Sequence, residues 1–183
     1  MKFITTELNG LVIIHPEPFE DKRGIFYRVF CEDEYKAIGF NKKIVQINQS
    51  FTKQKGSIRG MHFQYPPKAE IKIVKCIIGK IFDVAIDIRK DSPTFLKWHG
   101  EILSAENRKL MYIPEGFAHG FQTLDDNSEI IYLNSNFYSP EYEGCVRYND
   151  PMVRIKWPFE VTDVSVRDQT CKLLTESFKG IIL

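Results

Sequence analysis

Short runs of alternating or continuous apolar residues, bounded by turn residues, recur along most of the chain. Runs of this length and pattern are typical of β-strands. The predicted strands are GLVIIHPEPF, IFYRVF, KIVQINQSF, IKIVKCIIG, KIFDVAIDIR, KWHGEILS, LMYIP, GFQTL and EIIYLNSNFY. Gly79 and Lys80, between two of these runs, predict a tight turn. So many short strands in 183 residues predict an all-β protein, an antiparallel sandwich or barrel of the jelly-roll kind.

Helical patterns are few and short. EDEYKAIGF (32–40) predicts one helix, and RDQTCKLLTE (167–176) predicts a second with Ser165 as its cap. A length of 183 residues is enough for one substantial core, so we expect a single domain over 1–183.

Charge and hydropathy exclude several classes of partner. The formal net charge of +1 gives no reason to expect nucleic acid or an anionic membrane surface as a partner. No apolar run approaches the roughly 18–20 residues of a membrane span, and the first residues lack the pattern of a signal peptide. These features predict a protein that works away from membranes and nucleic acids.

The four cysteines, at positions 31, 76, 145 and 171, form no CxxC pair and no metal-finger spacing. Free thiols in a reducing compartment are the simplest interpretation, and they predict a cytoplasmic protein.

Side-chain parity brings several polar residues into consideration together. Successive residues of a strand point to opposite faces, so Lys72 shares a face with two apolar neighbours and Asp83 lies opposite the apolar face of its strand. A barrel interior that received His62, Lys72, Asp83 and Tyr132 together would be a polar pocket, which simple packing does not explain. Parity alone does not say which face of each strand is inside.

His62 has three possible roles: metal ligand, catalytic base or ordinary buried histidine. Residues 56–64 and 114–119 resemble the two metal-binding motifs of cupin barrels, but Gln64 stands where the second histidine belongs and Glu70 falls late. Only His62 and His119 remain as good ligands, whereas a firm site needs three or four, so no metal is expected. A histidine satisfied by a hydrogen bond is common, but that role leaves the neighbouring polar residues unexplained.

The longer motifs resemble one family closely. They are SIRGMHFQ, KIVKCIIGKIFDVAIDIRKDSPTFLKW, LSAENRKLMYIPEGFAHGFQTL, YSPEYEG, YNDPMVRIKWP and SVRDQ. In this order and spacing, from about DKRGIF (21–26) to RDQ (167–169), they are similar to the dTDP-4-dehydrorhamnose 3,5-epimerase family. The resemblance implies a cupin-like double-stranded β-helix with a few short helices. It also implies a homodimer that epimerises a nucleotide-linked 4-keto-6-deoxyhexose at C3 and C5 without a cofactor.

The resemblance also assigns catalytic roles. It makes His62 the base and Asp168 the partner that orients it, as in other His–Asp pairs. Lys72 corresponds to the family's lysine at the C4 oxygen, and Tyr132 to the residue that returns a proton from the opposite face. His119 and Asp83 correspond to a neighbouring pair whose alternative is a purely structural hydrogen bond.

The nucleotide-binding residues follow from the same resemblance: Arg23, Phe26, Gln46, Asn48, Arg59 and Tyr138. Arginine suits a diphosphate because its donors form a fixed fork, and the aromatic residues suit stacking on the base. Burial in the core is the alternative for Phe26. Part of this site comes from an exchanged N-terminal strand in the family.

Arg28 departs from the family pattern, because several members have a glutamate there, near the thymine. Thymine N3 carries a hydrogen and needs an acceptor, whereas cytosine N3 accepts, so Arg28 raises the hypothesis of a CDP-linked substrate. The alternative is that Arg28 faces solvent or an acid such as Glu32. A single-site C3 or C5 epimerase, a related 3,4-ketoisomerase, a metal-dependent cupin enzyme and a silent sugar-nucleotide-binding module also stay open.

Overall fold

The computed structural model describes residues 1–183 as thirteen strands and a few short helices. The strands are β1 (Lys2–Thr5), β2 (Val12–His15), β3 (Phe19–Asp21), β4 (Gly24–Phe26), β5 (Gln46–Thr52), β6 (Ile58–Gln64), β7 (Lys72–Ile78), β8 (Lys80–Asp87), β9 (Trp98–Ser104), β10 (Leu110–Ile113), β11 (Phe117–Thr123), β12 (Ser128–Asn134) and β13 (Glu143–Cys145). The helices are α1 (Glu32–Tyr35) and α2 (Val166–Gln169), with 3-10 turns at Lys36–Ile38 and Pro140–Tyr142. No helix combines the length and apolar character needed to cross a bilayer.

Two antiparallel sheets make up the barrel. One has six strands in the order β1-β2-β10-β7-β12-β5, and the other has five in the order β13-β6-β11-β8-β9. From β5 to β8 each strand lies in the opposite sheet from the one before it, and the same alternation runs from β9 to β13. This is the jelly-roll arrangement, so the prediction of an all-β, cupin-like double-stranded β-helix is confirmed.

Three apolar clusters stabilise the barrel. The largest lies between the sheets and includes Val74, Cys76, Ile81 and Leu103. The second packs α1 and the N-terminal segment on the outer face of the six-stranded sheet. The third covers the outer face of the five-stranded sheet with residues such as Val153 and Trp157 from the C-terminal part of the chain. Because both faces of each sheet are covered, several strands are buried on both sides.

The predicted elements are confirmed where the apolar pattern is strong. Gly79 has a φ of +71° between β7 and β8, which is the left-handed conformation that the predicted tight turn requires. The prediction of a strand over 25–30 is wrong beyond Phe26, because Val29 and Phe30 pack against the second apolar cluster.

The second helix is shorter than predicted. It begins after Ser165, whose hydroxyl accepts from the Asp168 N–H as a cap, but it ends at Gln169. The chain then turns away, because Cys171 is bonded to Cys145 and the Leu174 N–H donates to the Asp150 carboxylate.

The cysteine prediction is wrong for two of the four residues. Cys145 of β13 and Cys171, after α2, form a disulfide with their Cα atoms 6.1 Å apart. Cys31 and the buried Cys76 are free thiols. The pairing was invisible in the sequence because tertiary folding alone brings two cysteines 26 residues apart together.

Candidate active site

The polar residues expected in the barrel interior converge on a divided cavity. Two adjoining spaces of about 480 and 560 Å³ open between the sheets. Both are lined by His62 of β6, Lys72 of β7, Tyr132 of β12 and Arg167 of α2. The space is therefore bounded on several sides by groups that can donate or accept protons.

His62 is paired with a buried carboxylate. Its Nε2 lies 2.7 Å from Asp168 Oδ1, and the Gly60 N–H donates to the other carboxylate oxygen at 3.2 Å. Burial alone would raise the pKa of Asp168, but the hydrogen bonds from His62 and Gly60 outweigh it and hold that pKa below its ordinary value. Asp168 is therefore an ionised partner that orients the imidazole and leaves Nδ1 as the free ring nitrogen.

Gly60 permits the close approach of strands behind this pair. A Cβ on Gly60 would lie 2.5 Å from the Cα of Gly120 on β11, so no larger residue fits there. The glycine at this position of the SIRGMHFQ motif thus lets β6 and β11 approach closely next to His62.

Lys72 lies at the start of β7 and pairs with Glu70, two residues earlier. The other Glu70 carboxylate oxygen accepts from the Gln64 side-chain amide of β6. Both members of the Lys72–Glu70 pair are largely buried. The ammonium is thus a fixed cation on the cavity wall rather than a surface charge.

Tyr132 is partly buried and packs against the main apolar cluster. Burial raises the pKa of its phenol, and the side chains of Asn48 and Arg59 reduce that rise. The phenol consequently stays protonated and can act as an acid at neutral pH.

Asp83 and His119 form a second histidine–carboxylate pair, with 2.7 Å between Asp83 Oδ1 and His119 Nε2. Asp83 is fully buried, and this burial raises the pKa of its carboxyl group. His119 lines one of the cavities and lies opposite His62 in the β11–β6 register, whereas Asp83 does not line the space. His119 therefore lies beside His62 across the β11–β6 strand pair.

The residues assigned to the nucleotide divide into two groups. Gln46, Asn48 and Tyr138 line the first space, and Arg59 lines the second. The remaining three, Arg23, Phe26 and Arg28, lie outside both spaces of this chain.

The three outer residues belong to an exposed part of the chain. Phe26 lies on the β3–β4 hairpin with 75% of its surface exposed, and Arg23 of that hairpin pairs with Asp21 at 2.6 Å. The Arg28 side chain, 59% exposed, donates to Glu34 at 2.5 Å. Arg28 therefore pairs with a nearby acid, as one of its predicted alternatives has it, but the acid is Glu34 and not Glu32.

Sequence reasoning missed several cavity residues as members of the site, among them Gln64, Glu70, Glu143 and Arg167. Arg167 directly precedes Asp168 and pairs with Glu143, which also accepts from the Tyr138 hydroxyl. The adjacency of Arg167 to Asp168 in the SVRDQ motif was the available signal for it.

The metal-dependent alternative lacks its ligand set. Nowhere in the chain do three or more His, Cys, Asp or Glu side chains group so that they could hold a metal ion. His62 and His119 each pair with a separate aspartate.

Comparison with known proteins identifies the family of the chain. The family model described as dTDP-4-dehydrorhamnose 3,5-epimerase matches residues 5–176. The curated dTDP-4-dehydrorhamnose 3,5-epimerase of Salmonella typhimurium is 42% identical over 179 residues, which cover 97% of this chain and 97% of that protein.

Solved structures agree with the sequence matches. The dTDP-6-deoxy-D-glucose-3,5-epimerase of Legionella pneumophila, in complex with dTDP-4-keto-L-rhamnose, is 39% identical with a TM-score of 0.92 and covers 100% of this chain and 98% of its own. The dTDP-4-dehydrorhamnose 3,5-epimerase of Bacillus anthracis, with TDP and PPi bound, is 39% identical with a TM-score of 0.90 and covers 94% and 99%.

The fold and these relatives define an enzyme of the isomerase class, a cupin-like epimerase. More closely, the chain belongs to the dTDP-4-dehydrorhamnose 3,5-epimerase family, and it catalyses the epimerisation that gives the family its name.

Proposed function

We propose that His62, Asp168, Lys72 and Tyr132 epimerise a dTDP-linked 4-keto-6-deoxyhexose at C3 and C5, with no cofactor. The observation that carries this assignment is that His62, Lys72 and Tyr132 line the same space between the sheets. The reaction needs a base, a stabilised oxyanion and an acid around one sugar ring, and these three side chains supply them.

The chemistry begins at the C4 carbonyl of the sugar. The carbonyl acidifies the hydrogens on C3 and C5, because the carbanion left by either proton delocalises into an enolate. His62 Nδ1 takes the proton, and Asp168 stabilises the imidazolium that forms. The Lys72 ammonium faces the oxygen on which the negative charge develops, and one such preorganised donor contributes about 2.7–4 kcal/mol to the barrier reduction.

Tyr132 completes the inversion by giving a proton to the opposite face of the same carbon. Its raised pKa suits this step, because the phenol stays protonated until the enolate forms. The resulting phenolate recovers a proton from water and the His62 imidazolium releases its proton to water, so the enzyme returns to its starting state with no other reactant.

Relatives support the choice of nucleotide. The Legionella pneumophila enzyme was solved with dTDP-4-keto-L-rhamnose, and the Bacillus anthracis enzyme with TDP. In this chain Arg28 pairs with Glu34, so its donors have a partner without a cytosine. We therefore propose the dTDP sugar as the substrate, in preference to the CDP sugar.

We further propose that the single domain works as a homodimer. Strands β3 and β4 pair only with each other, and their hairpin exposes Phe19 and Phe26 to solvent. Two large exposed aromatics on an isolated hairpin are typical of an interaction surface. In the proposed dimer, Arg23 and Phe26 reach the nucleotide in the partner's cavity. Light scattering of the wild type against Phe19→Ser/Phe26→Ser tests this, and a wild-type monomer would contradict it.

The proposed compartment is the cytoplasm. The free thiols Cys31 and Cys76 support a reducing compartment, whereas the Cys145–Cys171 bond argues the other way. Fractionation of the source cells tests the assignment, and recovery outside the cytoplasmic fraction would contradict it.

Solvent deuterium exchange tests the proposed reaction directly. The enzyme is incubated in D2O with dTDP-4-keto-6-deoxyglucose and, separately, with the CDP sugar, while NMR follows C3-H and C5-H. We expect exchange at both carbons, faster with dTDP, and its loss in His62→Ala. Exchange at one carbon would restrict the enzyme to a single site, and no exchange with either sugar would refute the proposal.

A further inference from the structure

The carboxylate of Glu70 joins two parts of the cavity wall. One oxygen accepts from the Lys72 ammonium and the other from the Gln64 side-chain amide. The side chain of Glu70 is 6% exposed and that of Lys72 is 12% exposed, so solvent has little access to the pair. Neither the sequence motifs nor the proposed reaction gives Glu70 a role.

A lysine at an oxyanion site has a positioning problem. Its ammonium is a compact charge on a flexible four-carbon stem, so the stem alone does not fix where the charge lies. The ammonium has three N–H donors, and Glu70 accepts one of them. The bond to Glu70 anchors Nζ, and the remaining donors are available to the cavity.

Glu70 is itself held from the opposite side by Gln64. The Gln64 amide nitrogen also contacts the Lys68 carbonyl at 2.8 Å and the Phe137 carbonyl at 3.2 Å, and its oxygen accepts from the Ser139 N–H at 2.6 Å. Four partners thus fix the orientation of the Gln64 amide. The result is a rigid chain of contacts from the 137–139 segment through Glu70 to the Lys72 ammonium.

We propose that Glu70 is a positioning residue for the reaction: its carboxylate, braced by Gln64, holds the Lys72 ammonium where the enolate oxygen develops. The inference rests on the proposed function, because it takes Lys72 as the oxyanion donor. Glu70 lines the first space, but both of its carboxylate oxygens are taken by Lys72 and Gln64, so it acts through Lys72. When Glu70 is removed, Gln64 keeps its other three partners, so the loss displaces the Lys72 ammonium while the 137–139 segment stays held.

Kinetics of Glu70→Ala and Glu70→Gln measure this role. Misplacing a catalytic group by about 1 Å costs up to 10²-fold, so we expect Glu70→Ala to lower kcat about tenfold to a hundredfold. KM and the affinity for dTDP should stay within about threefold of wild type. The Glu70→Gln side chain keeps one oxygen that accepts from Lys72, but its NH2 group meets the Gln64 amide donor, so kcat should recover only in part, to a value between those of Glu70→Ala and wild type.

A double mutant isolates the link to Lys72. If Glu70 acts through Lys72, adding Glu70→Ala to Lys72→Ala should lower C3-H exchange less than twofold further. Glu101→Ala serves as the matched control. Glu101 lies on β9, away from the cavity, and its carboxylate pairs with Lys109 at 2.7 Å. This control should keep wild-type kcat.

Three outcomes would overturn the inference: wild-type kcat in Glu70→Ala, no recovery in Glu70→Gln, or full additivity in the double mutant. Failure of the proposed function is distinguishable, because the wild-type enzyme itself would then exchange no sugar hydrogen.

Discussion

Asp168 Oδ1 lies 2.7 Å from His62 Nε2 although the two residues are 106 positions apart in the chain. The contact joins helix α2 to β6, and the Gly60 N–H donates to the same carboxylate. The pair fixes the orientation of the imidazole and leaves Nδ1 as its free ring nitrogen.

Replacement of Asp168 by asparagine should lower kcat by about 10²–10⁴-fold, the usual range for a lost acid–base contribution. The amide keeps the size of the side chain but carries no charge to stabilise protonated His62. Turnover followed by NMR measures the effect. Asp33→Asn, at an exposed acid on α1, is the control and should match wild type. An Asp168→Asn enzyme within threefold of the wild-type kcat would show that the pair has no catalytic role.

The same carboxylate should make stability depend on pH. The folded-state pKa of Asp168 lies below the ordinary 3.8, so the unfolded chain binds the proton more readily between the two values. The stabilisation from Asp168 is therefore complete above about pH 5 and is lost as pH falls through its folded pKa. Urea unfolding at a series of pH values measures this. The free energy of unfolding should fall less steeply with acid in Asp168→Asn, and identical slopes would contradict the assignment.

The strands and the cavity could be predicted to different extents. Alternation along β8 predicted that Asp83 lies opposite the apolar face, and parity identified Lys72 and Tyr132 as candidates for one interior. These predictions succeed because strand periodicity is local. The 106-residue separation of Asp168 from His62 has no periodic signal, and only the family resemblance could join them.

Tertiary contacts explain what could not be predicted. Val29 and Phe30 are residue types typical of strands, but they pack with Tyr35 beside the six-stranded sheet. Strand β4 therefore ends at Phe26. Arg28 pairs with Glu34 because the segment before α1 brings the two side chains together. The sequence pattern places both Glu32 and Glu34 near Arg28 and does not say which of them it contacts.

Tyr132→Phe should separate proton abstraction from inversion. His62 can still remove the C3 proton and return deuterium to the same face, so exchange in D2O should continue without change of configuration. Formation of the epimer should fall at least about 10²-fold, since no acid remains on the opposite face. NMR distinguishes the two results through the signals of the starting and inverted sugars. Inverted product at the wild-type rate would assign the second proton to another group.

The Cys145–Cys171 bond lies close to the His62–Asp168 pair at both of its ends. Cys145 faces His62 in the β13–β6 register, and Cys171 follows α2, which carries Asp168. Thiol titration in denaturant should find two free thiols before reduction and four after it. A count of four before reduction would contradict the bond.

Cys171→Ser should show what the bond contributes. A crosslink over 26 residues stabilises a fold by about 3.5 kcal/mol, mainly by restricting the unfolded chain, so the free energy of unfolding measured in urea should fall by this amount. Cys31→Ser, at a free thiol, is the matched control and should unfold like wild type. Because β13 and the chain that follows α2 would no longer be joined, kcat of Cys171→Ser should also fall. Unchanged kcat with lowered stability would mean that the Ser165 cap and the Gly60 contact hold Asp168 in place without the disulfide.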